Sequence, residues 1–408
     1  MGTHPSASST GAGAEQLRRR NLSVLLGHVH LSGPTSRSQL AARTGLNRST
    51  IADLVADLSA RGLVAERRSA RASGPGRPSP VVAARPEGAV VLAVELAVDS
   101  IAVATVGLGA HVYNRVRIDR QRGRFSPGET VEDAVKLAEP LIASVPVGHH
   151  FAGVGVAVVG LTRRADGFVH LAPNLGWRDV PLGEMLAQRL GRDTPISVAN
   201  EADLGALAEH RRGAAPGVDN LLFVSGEVGI GVGVILGGNP GLGAAGYAGE
   251  AGHTLVNPAG VRCACGALGC WETEAGEGAL LRQAGLAIGT GGRASVDLVI
   301  ARAAAGEQQE RAAIESVGRW LGLGIADLIN LFNPELVVLG GMYARLHPLM
   351  HGQMEEGVRS RALAAPGSMV RIVPTALGID APLIGAAELA LSAIIDDPIQ
   401  IAATPNGG

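Results

Sequence analysis

The chain has 408 residues and 46% apolar content, room for two or three domains of roughly 100–200 residues each. With no run of about 18 unbroken apolar residues, no basic-then-apolar leader at the N-terminus and only three cysteines, the sequence excludes a membrane span and a disulfide scaffold and is expected to be cytoplasmic. The net charge of −2 hides twelve arginines against five carboxylates in residues 1–90, so a basic first segment sits on an acidic body and only that segment is expected to meet nucleic acid.

Residues 1–14 are mostly Ser, Gly and Ala, with one Pro and no periodicity, and are expected to be a disordered tail. From about Glu15, the spacing of Leu22, Leu25, Leu26 and Val29 predicts a helix that stops at Ser32-Gly33-Pro34. Ser36-Arg37-Ser38-Gln39 is a capping box opening a short helix through Arg43 or Thr44, which Gly45-Leu46 breaks. Asn47 then caps a helix that buries Ile51, Leu54 and Leu58 and leaves Arg48, Ser49, Thr50 and Asp53 mostly outward. Such an exposed first turn is what a recognition helix offers to the major groove: Arg48 suits guanine, while Ser49 and Thr50 suit phosphate or either base.

Leu63–Glu66 reads as a strand and Ser79–Val82 as its return, with a basic Gly/Ser wing at 67–78 between them. The competing reading is a solvated loop beside a small helical protein-interaction module. The order helix, capped helix, glycine turn, helix, strand and basic wing favours DNA. Residues 15–84 are therefore expected to form a winged helix-turn-helix that contacts DNA through Arg37, Asn47, Arg48, Ser49, Thr50, Arg67, Arg68, Arg71 and Arg77.

Beyond Arg85-Pro86, β-rich runs at 90–94, 101–106, 154–159, 196–199, 221–224, 232–236 and 336–339 alternate with helical stretches, predicting an α/β body. Two strand-rich parts separated near Ala199 imply two lobes and a cleft. Asn174, Asn200, Glu201, Glu250, His253 and Glu272 supply the amides and carboxylates that bind several hydroxyls at once, an inventory that fits a sugar. Singly, each has a blander reading as a turn residue, a cap or a solvated helix start.

All three cysteines fall within eight residues, at Cys263, Cys265 and Cys270, with His253 just upstream. Cys₃His is a usual closed zinc set, which would hold a loop and leave no open position for chemistry. Scattered buried thiols or a redox pair at Cys263 and Cys265 would not leave the rest of a long chain free of cysteine.

The segments Gly249-Glu250-Ala251-Gly252-His253, Cys263-x-Cys265-Gly266-x-x-Gly269-Cys270-x-Glu272, Gly229-Ile230-Gly231-Val232-Gly233 and 333–341, with Gly76-Arg77-Pro78 after the winged helix, resemble the ROK family of bacterial sugar kinases and sugar-responsive repressors. The resemblance implies an actin-like, ribonuclease H-like body with lobes at 85–198 plus 383–400 and at 199–382, followed by a flexible tail at 401–408. It also implies zinc on His253, Cys263, Cys265 and Cys270, and a sugar on Asn174, Asn200, Glu201, Glu250, His253 and Glu272.

Departures from the kinase pattern fall on the ATP side. The family's Asp-x-Gly-Gly-Thr phosphate turn is matched by Glu95, Ala97, Val98 and Asp99, without either glycine, and Asp99 repels phosphate. The second loop has Val228 where the family has Thr, and the family's catalytic Asp is matched by the longer Glu201. The expectation is a pocket that binds a monosaccharide or sugar phosphate without phosphorylating it, needs no ATP and has no catalytic residue. The chain is then a repressor of carbohydrate-utilisation genes, acting as a homodimer or homotetramer on a palindromic double-stranded operator. Two alternatives stand beside this: an active ATP-dependent sugar kinase with an appended DNA-binding domain, keeping Gly229, Gly231, Gly233, Gly340 and Gly341, and a constitutive DNA-binding protein with a vestigial body.

Overall fold

The computed structural model describes residues 8–67, 80–123, 125–288 and 292–403. The N-terminal unit comprises α1 (Ser8–Ser32), β1 (Thr35–Ser36), α2 (Arg37–Thr44), α3 (Arg48–Ala60), β2 (Val64–Arg67) and β3 (Val81–Ala84), the strands forming an antiparallel sheet in the order β1-β3-β2. Leu22, Leu25, Leu26 and Val29 of α1 pack against Leu40, Ile51, Leu54, Val55 and Leu58, all buried. The capping box closes reciprocally, with Gln39 N donating to Ser36 Oγ and Ser36 N to Gln39 Oε1; Gly45 ends α2 at φ 71°.

Two expectations need correction. Residues 8–14 are helical and not a tail, because extending a helix already nucleated by its packed face costs far less than starting one. At the other end Ile401 is buried, and Arg61 Nη1 donates to the carbonyls of Ile399 (3.1 Å) and Ile401 (2.5 Å), so the chain is fastened to α3 where a flexible tail was expected. Residues 1–7, the wing with Arg68, Arg71 and Arg77, and residues 404–408 lie outside the described residues.

The first lobe runs through β4 (Val90–Leu96), β5 (Ser100–Gly107), β6 (His111–Asp119), α4 (Pro127–Ala143), β7 (Phe151–Val158), β8 (Leu161–Arg163), β9 (Phe168–Ala172), β10 (Trp177–Val180), α5 (Leu182–Leu190) and β11 (Ile196–Asn200). Its main sheet has the order β11-β7-β4-β5-β6, with β4 and β11 parallel to β7 and the rest antiparallel. β4 is buried along its whole length, as a continuous apolar run in a sheet covered on both faces requires. β6 is the edge and carries Arg115, Arg117 and Asp119, charges of the kind that keep an edge from pairing with another chain.

The second lobe contains α6 (Glu201–Arg212), β12 (Leu221–Gly226), β13 (Ile230–Leu236), β14 (Asn239–Pro240), α7 (Trp271–Ala275), α8 (Glu277–Gln283), α9 (Gly292–Ala304), α10 (Gln308–Phe332), β15 (Leu336–Gly340), α11 (Gly341–Arg361), α12 (Ala364–Met369) and β16 (Arg371–Pro374), with sheet order β14-β13-β12-β15-β16. α13 (Ala381–Asp396) then crosses back onto β4 and β7 of the first sheet. Residues 378–396 are long and apolar enough to cross a membrane, yet they sit inside the protein: bare glycines at 155 and 385 let the α13 backbone touch β7 and the backbone of α6. The body is thus a two-lobed α/β fold of the actin-like kind, behind a winged helix-turn-helix.

Candidate functional site

A cavity of about 280 Å³ opens where the lobes meet, close to the lower end of the roughly 300–1,000 Å³ range of ligand clefts. Asn174, Asn200, Glu201, Glu250, His253 and Glu272 all line it. The six come from five supports. Asn174 sits in the β9–β10 turn; Asn200 ends β11 and caps α6; Glu201 is the first residue of α6; Glu250 and His253 belong to a 3₁₀ turn; Glu272 opens α7.

Asn200 is locked from both sides, since its Oδ1 accepts from Ala202 N (2.7 Å) and its Nδ2 donates to Gly160 O (3.0 Å). Burial, reinforced by Glu227, Glu95 and Asp99, holds Glu201 well above the usual carboxylate range, and burial also lifts Glu250 against the pull of His253. A protonated or easily protonated carboxyl both donates and accepts, which suits a hydroxyl ligand. Leu161, Leu171 and Ile230 supply an apolar wall for carbon atoms.

Beside the cavity, one ligand atom each from His253, Cys263, Cys265 and Cys270 lies within 4.8 Å of all the others. The cysteines are not paired as disulfides. Cys263 Sγ is 3.6 Å from His253 Nδ1, and Cys265 Sγ is 3.6 Å from Cys270 Sγ. Those separations match the edge, about 3.8 Å, of a tetrahedron with metal–sulfur bonds of about 2.3 Å, so the four donors fit a metal ion. A tight turn brings them together: Gly266 N donates to Cys263 O (3.0 Å), Cys263 N to Ala267 O (2.8 Å), and Gly266 and Gly269 adopt φ of 98° and 69°. With Nδ1 of His253 turned to the cysteines, its Nε2 faces Glu250, 3.9 Å away, while Glu272 Oε1 stands 3.5 Å from Nδ1. The cluster and the cavity therefore share a wall.

Sequence reasoning did not find a second, smaller space of about 50 Å³ next to the first, lined by Glu95, Asp99, Glu201, Glu227, Arg117, Arg122 and Arg293 among others. It lies where the kinase pattern would place phosphates, and ion pairs crowd its wall. Arg117 Nη2 donates to Glu95 (2.7 Å); Arg122, from the first lobe, forks onto Glu277 of the second (2.7 and 2.8 Å) and reaches Asp99 (3.3 Å). Burial and Asp99 push Glu227 up to about 7.

That cost to folding is absent below about pH 4.5, grows between 4.5 and 7, and is fully present above 7, because the unfolded chain ionises first. Glu227→Gln is expected to stabilise the protein at pH 8 by on the order of 3 kcal/mol and to leave it unchanged at pH 4, readable in thermal melts. Equal shifts at both pH values would refute the crowding of carboxylates.

Three of the retained glycines, Gly233, Gly340 and Gly341, do not argue for a phosphate loop, because packing requires them. A side chain at Gly233 would strike the Ala202 carbonyl, at Gly340 the Phe223 ring, and at Gly341 the Gly226 carbonyl.

In the N-terminal unit, Asn47 Oδ1 caps α3 by accepting from Thr50 N (2.9 Å) and Ser49 Oγ (2.7 Å), so Asn47 and Ser49 are occupied in shaping the first turn. Arg48 is exposed and, among the described residues, makes no ion pair. Arg37 instead forks onto Glu66 of β2, a contact that ties α2 to the wing's base and not an open cation. Arg67 is exposed at the end of β2.

The chain matches the ROK family over residues 91–393. It is 30% identical over 383 residues to the xylose repressor of Bacillus subtilis (strain 168), covering 93% of this chain and 97% of that one. Among solved structures, a ROK family transcriptional regulator described as a homologue of the E. coli Mlc protein superposes with a TM-score of 0.77 at 25% identity, over 96% of this chain and 100% of its own. A ROK family glucokinase from Streptomyces griseus, in complex with glucose and AMPPNP, superposes with a TM-score of 0.62 at 28% identity, over 74% of this chain and 98% of the kinase.

Proposed function

The chain belongs to the ROK family, and on that premise we propose that it is a sugar-responsive DNA-binding regulator, a cytoplasmic repressor of carbohydrate-utilisation genes that has lost kinase activity. The observation that carries this reading is the contrast between the two spaces at the lobe junction. The larger keeps amides and carboxylates for hydroxyls; the smaller is narrow and walled by the carboxylates Glu95, Asp99 and Glu227 with Arg117, Arg122 and Arg293. Agreement with the regulators along nearly the whole chain, N-terminal unit included, supports the same side.

In this reading His253, Cys263, Cys265 and Cys270 hold a structural zinc ion, which supplies rigidity and leaves no position for substrate. His253 orients its Nε2, with Glu250 beside it, toward a ligand hydroxyl. Asn174, Asn200, Glu201 and Glu272 complete the set. A monosaccharide is the ligand class, and the carboxylates around Glu201 favour the free sugar over its phosphate. A homodimer presents two recognition helices to a palindromic operator, with Arg48, Thr50 and Arg67 at the DNA and Arg68, Arg71 and Arg77 following from the wing.

Calorimetry with D-xylose, D-glucose, their phosphates and ATP tests the ligand class. One free sugar is expected to bind, with its phosphate weaker and no ADP released; sugar-dependent ADP release that Glu201→Gln abolishes would establish the kinase instead. Arg48→Ala is expected to cost about 1–3 kcal/mol on specific DNA and little on non-specific DNA, whereas Arg67→Ala weakens all sequences alike and flattens the salt dependence. Equal loss on both DNAs in Arg48→Ala would remove Arg48 from base recognition.

A further inference from the structure

Resting on the sugar-responsive reading, we propose that α6 is a lever that carries occupancy of the sugar cavity to the DNA-reading unit, with Arg211 and Arg212 at its far end as the coupling residues. Asn200 is the last residue of a first-lobe strand and Glu201 the first of α6, and both line the cavity. A change in lobe angle on ligand binding therefore turns α6 about its N-terminal end. The helix spans about 18 Å at 1.5 Å per residue.

It lies between the lobes: Ala202, Ala206 and Ala208 seat one face on the second lobe's sheet without slack, while Leu204 and Leu207 pack on α13. Gly205 lies against the Phe223 ring and the Ala202 carbonyl over Gly233, too close in each case for a Cβ. Glu209, fully buried, fastens the last turn by accepting from Ala214 N (2.6 Å), Leu377 N (3.1 Å) and the Thr375 hydroxyl. One turn in from the N-terminal end, the backbone of Leu204 touches Gly385 of α13, which rides on the first lobe; this contact is the fulcrum.

At the far end three elements, α13, α6 and α1, meet on one carboxylate. Glu388 of α13, 1% exposed, accepts from Arg212 Nε (2.8 Å), Arg211 Nη1 (3.2 Å) and His30 Nε2 (3.1 Å). Gly109 N donates to His30 Nδ1 (3.0 Å), so the ring proton sits on Nε2 and points at Glu388. Arg212 Nη1 also donates to the carbonyls of His30 (2.9 Å) and Leu31 (3.4 Å), capping the C-terminal end of α1. Burial alone would raise Glu388, yet His30, Arg212 and Arg211 bring it down to about 2, as expected of a carboxylate that stays charged inside the protein. α1 in turn packs its Leu22–Val29 face on α3. The chain of contacts runs from Asn200 to the recognition helix without a gap, and its two-state element is the lobe angle.

The test measures affinity for DNA from the region upstream of the chain's own gene, with and without D-xylose or D-glucose, in the wild type, Arg212→Ala and Arg212→Lys. Coupling factors between such sites are on the order of 5- to 150-fold. Both variants are expected to keep sugar affinity and sugar-free DNA affinity within about threefold while the factor falls toward one. A wild-type factor preserved in both variants overturns the lever, whereas a wild type that answers no sugar overturns the functional reading and the lever with it. Hydrogen exchange on the wild type needs no variant to fold: D-xylose or D-glucose, whichever binds, should alter amides 28–33 and Gly109. Changes confined to the cavity lining would equally overturn the proposal.

Discussion

Replacing Cys270 with serine, or stripping the metal with a chelator, is expected to lower sugar affinity by about 100-fold or more and to abolish the response of DNA binding to sugar. In the proposed zinc site the ion would tie together the segments from which Glu250, His253 and Glu272 reach the cavity, so losing one corner releases several hydrogen-bonding groups at once. Charge-assisted hydrogen bonds contribute about 1.5–3 kcal/mol each, and two of them account for that loss. Sugar-free DNA binding should survive, because the core of α1, α2 and α3 is built without the cluster. Calorimetry with and without chelator, beside a DNA titration, reads both effects. A chelated protein that binds and answers its sugar normally would sever the metal from sensing.

Glu250→Ala should cost sugar affinity about 10- to 150-fold while leaving the fold and the sugar-free affinity for DNA intact. Its side chain is about half exposed and, among the described residues, makes no ion pair beyond the 3.9 Å approach to His253, so its removal leaves no buried partner stranded there. Glu250→Gln, which keeps the shape and an acceptor, should lose less. Unchanged regulation in Glu250→Ala would favour constitutive DNA binding with a vestigial body, which needs only the N-terminal unit.

Much of this was legible in the sequence because the signals were local. The capping box at Ser36, the glycine corner at Gly45 and the apolar runs of β4, β7 and β15 each declare themselves within a few residues. The cysteine spacing did the same for the cluster. Features built from distant residues were not readable. β6 escaped notice because an exposed edge strand lacks an apolar run, and Ser8 to Ala14 became helix only because the packed turns beyond them had already paid for nucleation.

Arg37 offered an open cation on paper; its pairing with Glu66, 29 residues on, needed the sheet to form. The Glu388 junction left one faint trace, a lone carboxylate in the apolar run of α13, whose partners lie more than 170 residues away.

The most direct measurement is the affinity of the purified protein for DNA upstream of its own gene, titrated with free and phosphorylated sugars in the presence of ATP. One free monosaccharide should change that affinity at least about fivefold and be recovered unphosphorylated. DNA binding indifferent to every sugar, or a responsive sugar recovered as its phosphate, would contradict a sensor that binds its ligand without transforming it.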